Sequence, residues 1–226
     1  MVIGNGLLGN AFKGEGEKYD DFLIFASGVS SSSETDPNQF EREGELLEKS
    51  LRGNLETDNR KVIYFSSILT DVGQSKYYTH KAEMEAIVER WCWDYIIFRL
   101  PQVVGHKGND NNIVKALTKS IENDEPLTIF GNVKRSIMDV DDVVKVVDGC
   151  KDKVNRKVVN ISGVERVNVL ELVNTIAKQL NKTPEIHIRE EKFASDWLTP
   201  NDPIVEDILK TFKTGYTNNV IQKYIK

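Results

Sequence analysis

The sequence is poor in the residues that build metal sites and disulfide frameworks. Its 226 residues include two cysteines, Cys92 and Cys150, and three histidines, His80, His106 and His187. The cysteines have no metal-ligand spacing, so we expect reduced, buried thiols in a cytoplasmic protein. The scattered histidines argue against a zinc site. We therefore expect no metal cofactor.

Long apolar runs and basic clusters are also missing. The longest apolar runs, FLIFA and YIIF, are far too short to cross a bilayer. The N-terminus shows neither the basic region nor the cleavage site expected of a secretory leader. The formal net charge is −5 and the pI is about 5.4, so we expect neither nucleic acid nor an anionic membrane as the main partner.

Apolar strands alternate with amphipathic helices along the chain. Continuous apolar runs predict buried strands at 22–27 and 61–66. The segment DPNQFEREGELLEKSL predicts a helix with Asp36 as its N-cap and Pro37 at its first position, and Asn168 is the predicted cap of a later helix. Strands that are apolar throughout indicate a parallel sheet covered by helices on both faces.

The opening segment MVIGNGLLGNAF carries a possible phosphate-binding loop. Gly4, Gly6 and Gly9 fit the spacing G-x-G-x-x-G between a short strand and a helix. Bare backbone there would let a pyrophosphate reach the N–H groups at the start of the helix. A glycine-rich turn without a ligand explains a lone match equally well.

The segment SKYYTHKAEMEA places a tyrosine and a lysine one helical turn apart. Tyr77 and Lys81 are four residues apart, so they lie on the same face of the predicted helix. Such pairs also arise by chance on many helices, so the spacing alone does not predict catalysis.

Six motifs follow one another in a fixed order: the glycine loop, FASG, YFSS, YYTHK, FRLPQVVG and RSIMDVDDVV. This order resembles the extended short-chain dehydrogenase/reductases, which include NAD(P)-dependent sugar-nucleotide epimerases, dehydratases and ketoreductases, and it covers about residues 1–180. The resemblance implies an α/β fold, a shortened Rossmann-like doubly wound parallel sheet with a small C-terminal substrate lobe. We expect the dinucleotide-binding core at 1–165, with 103–138 contributing to the lobe, and the lobe itself at 166–226.

The resemblance assigns catalytic roles to three residues. Tyr77 would be the acid–base residue, and Lys81 would lower its pKa from the ordinary value near 10 and hold the nicotinamide ribose. Ser67 would hydrogen-bond the reacting oxygen, whereas Ser66 is expected to pack at the strand end or to satisfy its hydrogen bonds. Tyr78 has no lysine four residues on and is the poorer candidate.

The resemblance also implies a cofactor, NAD or NADP, and a nucleotide-diphosphate sugar as substrate. The implied cofactor-binding residues are Gly4, Gly6, Leu7, Leu8, Gly9, Ala26, Ser27, Lys81, Pro101 and Val103. The implied substrate-binding residues are Ser67, Gln102 and Arg135. Arg135 matches the arginine that grips the substrate diphosphate, and its alternative role is a salt bridge with Asp139 or Asp141.

Two departures from the family pattern stand out. About a dozen residues separate Gly9 from the strand at Phe22, so a β-α-β unit that normally supplies the adenosine-binding acidic residue is missing. We therefore expect the first strand to lie at or near a sheet edge, where a homodimer could cover it. The second departure is on the helix after FASG, where Phe40 or Glu41 falls at the position of the family's active-site asparagine.

Two functional classes remain open. The first is a compact sugar-nucleotide ketoreductase or epimerase, for which we favour reduction of a 4-keto-6-deoxy sugar nucleotide. The second is a non-catalytic relative that binds a nucleotide or a partner protein, which the missing adenosine site favours. The joint retention of Ser67, Tyr77, Lys81 and Arg135 favours the enzyme.

Overall fold

A computed structural model describes residues 1–106, 112–190 and 199–225, so part of the predicted tail, 193–198, lies outside the described residues. The strands are β1 (Val2–Ile3), β2 (Phe22–Phe25), β3 (Lys61–Ser67), β4 (Tyr95–Leu100), β5 (Gln102–Val104), β6 (Leu127–Phe130), β7 (Lys134–Arg135), β8 (Ile137–Asp139), β9 (Lys157–Asn160), β10 (Val167–Asn168) and β11 (Ile186–Arg189). The helices are α1 (Leu7–Gly14), α2 (Pro37–Glu56), α3 (Lys76–Trp91), α4 (Ile113–Glu122), α5 (Val140–Cys150), α6 (Val169–Gln179), α7 (Pro203–Lys210) and α8 (Tyr216–Tyr224). Across the described ranges, no helix is both long and apolar enough to span a membrane.

Five parallel strands form the central sheet in the order β1-β2-β3-β4-β9. The register places Ile24 beside Ile63 and Ile63 beside Ile96, and all three side chains are fully buried. The predicted parallel α/β sheet is confirmed. Within the described residues β1 is an edge strand, as predicted from the missing β-α-β unit.

Helices cover both faces of the sheet because neighbouring side chains on a strand point to opposite sides. On β2, Phe22 and Ile24 join the core beneath α1, α5 and α7. Leu23 and Phe25 join the core beneath α2 and α3. The two cores therefore hold α1 on one face of the sheet and α3 on the other.

The predicted helix starts are confirmed by their caps. The Asp36 carboxylate accepts a hydrogen bond from Asn38 N–H at 3.0 Å, and Pro37 is the first helical residue. The Asn168 side chain accepts from Leu170 N–H at 2.8 Å, and Glu171 completes a capping box. These bonds between neighbouring residues define the N-termini of α2 and α6, so the starts of both helices can be predicted from local sequence.

A second core lies beside the sheet. It contains apolar side chains of α4, α6 and α8 and of the parallel pair β6–β11. Short pairings, β5–β8 and β7–β10, connect this region to the end of β4. α7, by contrast, packs into the sheet core through Val205 and Leu209.

Candidate active site

A cleft of about 630 Å³ opens at the carboxyl ends of β1 to β4. Ligands of doubly wound α/β sheets bind at this edge, and the volume is typical of a small-molecule site. Most of the predicted site residues line it, namely Gly6, Leu7, Leu8, Ala26, Ser67, Tyr77, Lys81, Pro101, Gln102, Val103 and Arg135. Gly4, Gly9 and Ser27 are not among the residues that line it.

The glycine loop has the geometry of a phosphate cradle. Gly4 has a φ of +123°, and a Cβ there would lie 2.2 Å from the Ala26 carbonyl oxygen. A Cβ at Gly9 would lie 2.5 Å from the Gly4 carbonyl oxygen. Glycine at position 4 therefore lets the loop approach the backbone after β2, and glycine at position 9 lets α1 pack against the loop. A Cβ at Gly6 would meet nothing within 4 Å, which leaves open space at the N-terminus of α1.

That open space suits the pyrophosphate of a dinucleotide. Leu7 and Leu8 are in the first turn of α1, whose N–H groups have no partners within the helix. The positive end of the helix dipole favours an anion at this point. The residues present therefore fit the pyrophosphate half of NAD or NADP, and Lys81, Pro101 and Val103 lie further along the same cleft.

The two serines at the end of β3 face different surroundings. Ser66 is buried, and its hydroxyl lies 3.1 Å from the Thr70 hydroxyl. Ser67 is half-buried and lines the cleft, and its hydroxyl accepts a hydrogen bond from Leu69 N–H at 3.2 Å. Ser66 also borders the cleft, but its hydroxyl is buried against Thr70, so Ser67 is the better placed of the two to contact a ligand.

Tyr77 and Lys81 lie on one face of α3, as their spacing predicts. The Lys81 Nζ atom is 5.7 Å from the centre of the Tyr77 ring. Tyr78 packs edge-to-face on Tyr77, with 5.1 Å between ring centres, and its ring also covers Gly73. Both tyrosines are half-buried at the wall of the cleft.

An unforeseen carboxylate, Glu43 on α2, completes this part of the site. It is fully buried. Its Oε1 atom accepts from the Lys81 ammonium and from the Tyr64 hydroxyl, each at 2.8 Å. Its Oε2 atom accepts from Val29 N–H at 2.6 Å and lies 3.1 Å from His80 Nε2. Glu43 therefore joins α2, α3, β3 and the segment after β2 in one buried network.

A glycine makes room for this network. A Cβ at Gly28 would lie 2.4 Å from the Lys81 Nζ atom and 2.8 Å from Glu43 Oε1. The FASG motif therefore ends in a residue that lets the backbone approach a buried ion pair closely.

The electrostatics of Tyr77 differ from the prediction. Burial raises the pKa of the Tyr77 phenol above its ordinary value, and the Glu43 carboxylate and the Tyr78 ring add to the rise. The expectation that Lys81 lowers this pKa is corrected because Glu43 binds the Lys81 ammonium directly. Burial alone would raise the pKa of the Glu43 carboxyl, but Lys81, His80 and Val29 N–H bring it well below the ordinary range.

The sequence offered no residue of α2 for the site, because Phe40 or Glu41 falls at the position of the family's asparagine. Glu41 is exposed, and Phe40 packs on the His80 ring with 4.9 Å between centres. Glu43 lies one turn before the buried Leu47 and two turns before Leu51. An acidic residue on the apolar stripe of α2 was the sequence signal for this role.

Arg135 on β7 lines the cleft at the wall that carries Tyr78. Its guanidinium is close enough to favour the ionised form of the Tyr78 phenol, although burial raises the pKa of that phenol overall. The two carboxylates considered as alternative partners, Asp139 and Asp141, accept hydrogen bonds from Lys223 at 2.6 and 2.7 Å. This arrangement favours a ligand-facing role for Arg135.

Comparison with known proteins places these features in context. Residues 28–162 match the model of the NAD dependent epimerase/dehydratase family. No curated protein sequence matches the chain significantly.

Solved structures share the fold at low sequence identity. UDP-glucuronic acid 4-epimerase from Bacillus cereus, in complex with UDP-glucuronic acid and NAD, superposes with a TM-score of 0.70 at 17% identity, covering 91% of this chain and 74% of that one. dTDP-glucose 4,6-dehydratase from Bacillus anthracis, in complex with NAD, gives 0.70 at 14% identity, with 99% and 77% covered. MoeE5, in complex with UDP-glucose and NAD, gives 0.74 at 17% identity, with 99% and 83% covered.

Proposed function

Because the chain belongs to the NAD-dependent epimerase/dehydratase family of extended short-chain dehydrogenase/reductases, we propose that it is a nicotinamide-dependent enzyme that acts on a nucleotide-diphosphate sugar. The observation that carries this proposal is the meeting of Ser67, Tyr77 and Lys81 in one cleft, between the glycine loop and Arg135. The three structural neighbours described above were solved with NAD, and two of these three also hold a UDP-sugar.

The reaction that suits these residues best is reduction of a 4-keto-6-deoxy sugar nucleotide. The bound nicotinamide would supply hydride chemistry. Tyr77, kept as a neutral phenol by its surroundings, would donate its proton to the keto oxygen, and the Ser67 hydroxyl would hydrogen-bond the same oxygen. Epimerisation and dehydration, the activities named for the family and for its structural neighbours, begin with oxidation of a hydroxyl, for which Tyr77 would first have to lose its proton.

The substrate diphosphate would lie against Arg135. A guanidinium presents a planar fork of N–H donors that matches phosphate oxygens. Gln102 and Val103, which follow β4, border the same cleft and would contact the sugar side of the ligand and the cofactor, respectively.

A non-catalytic binding role is the second candidate. The Lys81 ammonium already has a buried carboxylate partner, and β1 lies at the sheet edge, where the adenosine-binding strands of longer relatives would add. Such a protein would bind a nucleotide without turning it over.

One experiment separates these functions. The purified protein is titrated with NADH and NADPH while nicotinamide fluorescence is followed, and a dTDP- or UDP-4-keto-6-deoxyhexose is then added. The enzyme proposal expects saturable binding followed by loss of nicotinamide absorbance. Binding without turnover of keto sugars or of UDP-glucose with NAD would favour the binding role, and no binding of either cofactor would overturn the cofactor proposal.

A further inference from the structure

In the described part of the chain, Glu43 is the one carboxylate that hydrogen-bonds Lys81, and its side chain is fully buried. Four donors or donor-capable atoms surround its two oxygens within 3.1 Å, from Val29, Tyr64, His80 and Lys81. A carboxylate with this many short contacts has little freedom to move, so it fixes the Lys81 ammonium as well.

The charge of this pair bears directly on Tyr77. The titratable and charged groups that face the Tyr77 phenol are Glu43 from α2, Tyr64 from β3, and Tyr78 and Lys81 from its own helix. Behind them, His80 contacts Glu43 and Arg135 lies near Tyr78. Glu85, the buried acidic residue of α3, is paired with Arg99 at 2.6 Å. The positive charge of Lys81 is thus matched by the negative charge of Glu43, and no net charge from this pair is left to favour a phenolate.

We propose that Glu43 is a positioning residue that fixes Lys81 and offsets its charge, so that Tyr77 rests as a neutral phenol and the enzyme begins by protonating a keto oxygen. This inference rests on the proposed function for the keto substrate. Tyr77 gives its hydroxyl proton to the keto oxygen while the keto carbon takes a hydride from the reduced nicotinamide cofactor. The product is the alcohol, and the Tyr77 phenolate regains a proton from water.

The inference makes a spectroscopic prediction that needs neither substrate nor cofactor. Phenolate absorbance is followed as the pH is raised in wild type and in Tyr77→Phe, and subtracting the second curve from the first gives the titration of Tyr77. The same subtraction is made for Glu43→Gln and Glu43→Gln/Tyr77→Phe. Glu43→Gln leaves the Lys81 charge unmatched at 5.7 Å from the Tyr77 ring, so the Tyr77 midpoint should fall by about one pH unit or more.

Two variants control for the loss of a carboxylate as such. Glu43→Asp keeps the charge and should leave the Tyr77 midpoint close to its wild-type position. Glu45→Gln removes an exposed carboxylate from the same helix and should leave the titration unchanged. Circular dichroism verifies folding, and Glu43→Asn serves as the neutral variant if Glu43→Gln does not fold.

The outcomes are distinct. A Tyr77 midpoint that does not move in folded Glu43→Gln overturns the proposal, and so does a failure of both neutral variants to fold, since Glu43 would then be purely structural. A lowered midpoint supports the proposal, even in a protein that turns over no sugar nucleotide, which would overturn the proposed function alone. With active enzyme, the pH above which keto reduction declines should fall in Glu43→Gln in step with the midpoint.

Discussion

The two tyrosines at the start of α3 both line the cleft but differ in their neighbours. Tyr77 lies over Lys81 and near the buried Glu43. Tyr78 packs on Gly73 and lies toward Arg135. The hydroxyl of Tyr77 is therefore the one whose proton is controlled by a charged pair.

At the residue scale, Tyr77→Phe should nearly abolish turnover of a keto sugar nucleotide. General acid catalysis typically contributes 10²- to 10⁴-fold, and the ring itself stays to fill the same space. Tyr78→Phe is the matched control and should change turnover only mildly. The measurement is the steady-state rate of each variant, with thermal unfolding to check the fold. Equal rates for wild type and Tyr77→Phe would contradict the assignment.

The buried ion pair predicts a stability effect at the same site. Lys81→Met leaves the fully buried Glu43 without its cation, and breaking a buried pair in this way costs about 3–5 kcal/mol. The double variant Glu43→Gln/Lys81→Met removes both charges and should be more stable than Lys81→Met alone. Urea unfolding of the three proteins measures this, and a double variant less stable than the single variant would contradict it.

The same pair has a defined pH dependence. The pKa of the Glu43 carboxyl is lowered in the folded state, so the pair stabilises the fold fully above the ordinary carboxyl value of 4.5 and loses this contribution as the pH falls below it. As the pH falls below this value, the free energy of unfolding should therefore decrease less steeply in Glu43→Gln/Lys81→Met than in wild type, which urea unfolding at a series of pH values measures.

Arg135 provides a test of substrate recognition. Arg135→Ala should raise the Michaelis constant for a nucleotide-diphosphate sugar and leave cofactor affinity nearly unchanged. Loss of a charge-assisted contact to the diphosphate costs on the order of 2–3 kcal/mol. Isothermal titration with UDP and with NADH measures both affinities. Unchanged UDP affinity would show that Arg135 does not contact the diphosphate.

At the scale of elements, the glycine loop and α1 can be tested separately from the core. A Cβ at Gly6 meets open space, so Gly6→Ala should fold with a change in stability of about 1 kcal/mol or less. The added methyl group would occupy the space assigned to the pyrophosphate, so NADH affinity should fall at least about tenfold, equivalent to about 1.4 kcal/mol.

Gly14→Ala is the matched control for this element. A Cβ there also meets nothing within 4 Å, but Gly14 lies at the opposite end of α1. NADH affinity should be unchanged in Gly14→Ala. Equal affinities of Gly6→Ala and wild type, measured by fluorescence titration, would place the pyrophosphate elsewhere.

Elements with local signals could be predicted from the sequence. Asp36 and Asn168 cap helices by bonds to residues two positions on, and an apolar run such as YIIF carries its own strand signal. The short strands β5, β7, β8 and β10 were not predicted, because their two or three residues become strands only by pairing with each other.

The residues of the candidate site also divide into those with a local sequence signal and those that depend on distant partners. The spacing of Tyr77 and Lys81 is local to one helix and was predictable. Glu43 was not, because its partners Tyr64, His80 and Lys81 are 21, 37 and 38 residues away and meet it only in the folded sheet. The raised pKa of Tyr77 could not be predicted either, since it comes first from burial and then from that distant charge.

At the scale of the whole molecule, the edge position of β1 decides what can bind the adenosine half of the cofactor. In longer relatives the strands beyond β1 supply the carboxylate that binds the adenosine ribose. Asp20 and Asp21 precede β2, so they lie at the amino end of the sheet, opposite the cleft. Neither can replace that carboxylate. An exposed sheet edge invites pairing, and we propose a homodimer that covers β1.

The last prediction concerns the choice between NAD and NADP. A carboxylate on the adenosine ribose selects NAD by repelling a 2′-phosphate, and the described residues form no strand beyond β1 that would carry it. The pyrophosphate and nicotinamide contacts are common to both cofactors. NADH and NADPH should therefore bind with dissociation constants within about tenfold, equivalent to about 1.4 kcal/mol. Fluorescence titration at several protein concentrations, with light scattering to follow the oligomeric state, measures this. A preference of a hundredfold or more would contradict the proposal that binding depends on the pyrophosphate and nicotinamide contacts that the two cofactors share. If that preference grew with the dimer fraction, the discriminating group would come from the partner subunit, because the isolated β1 edge offers none.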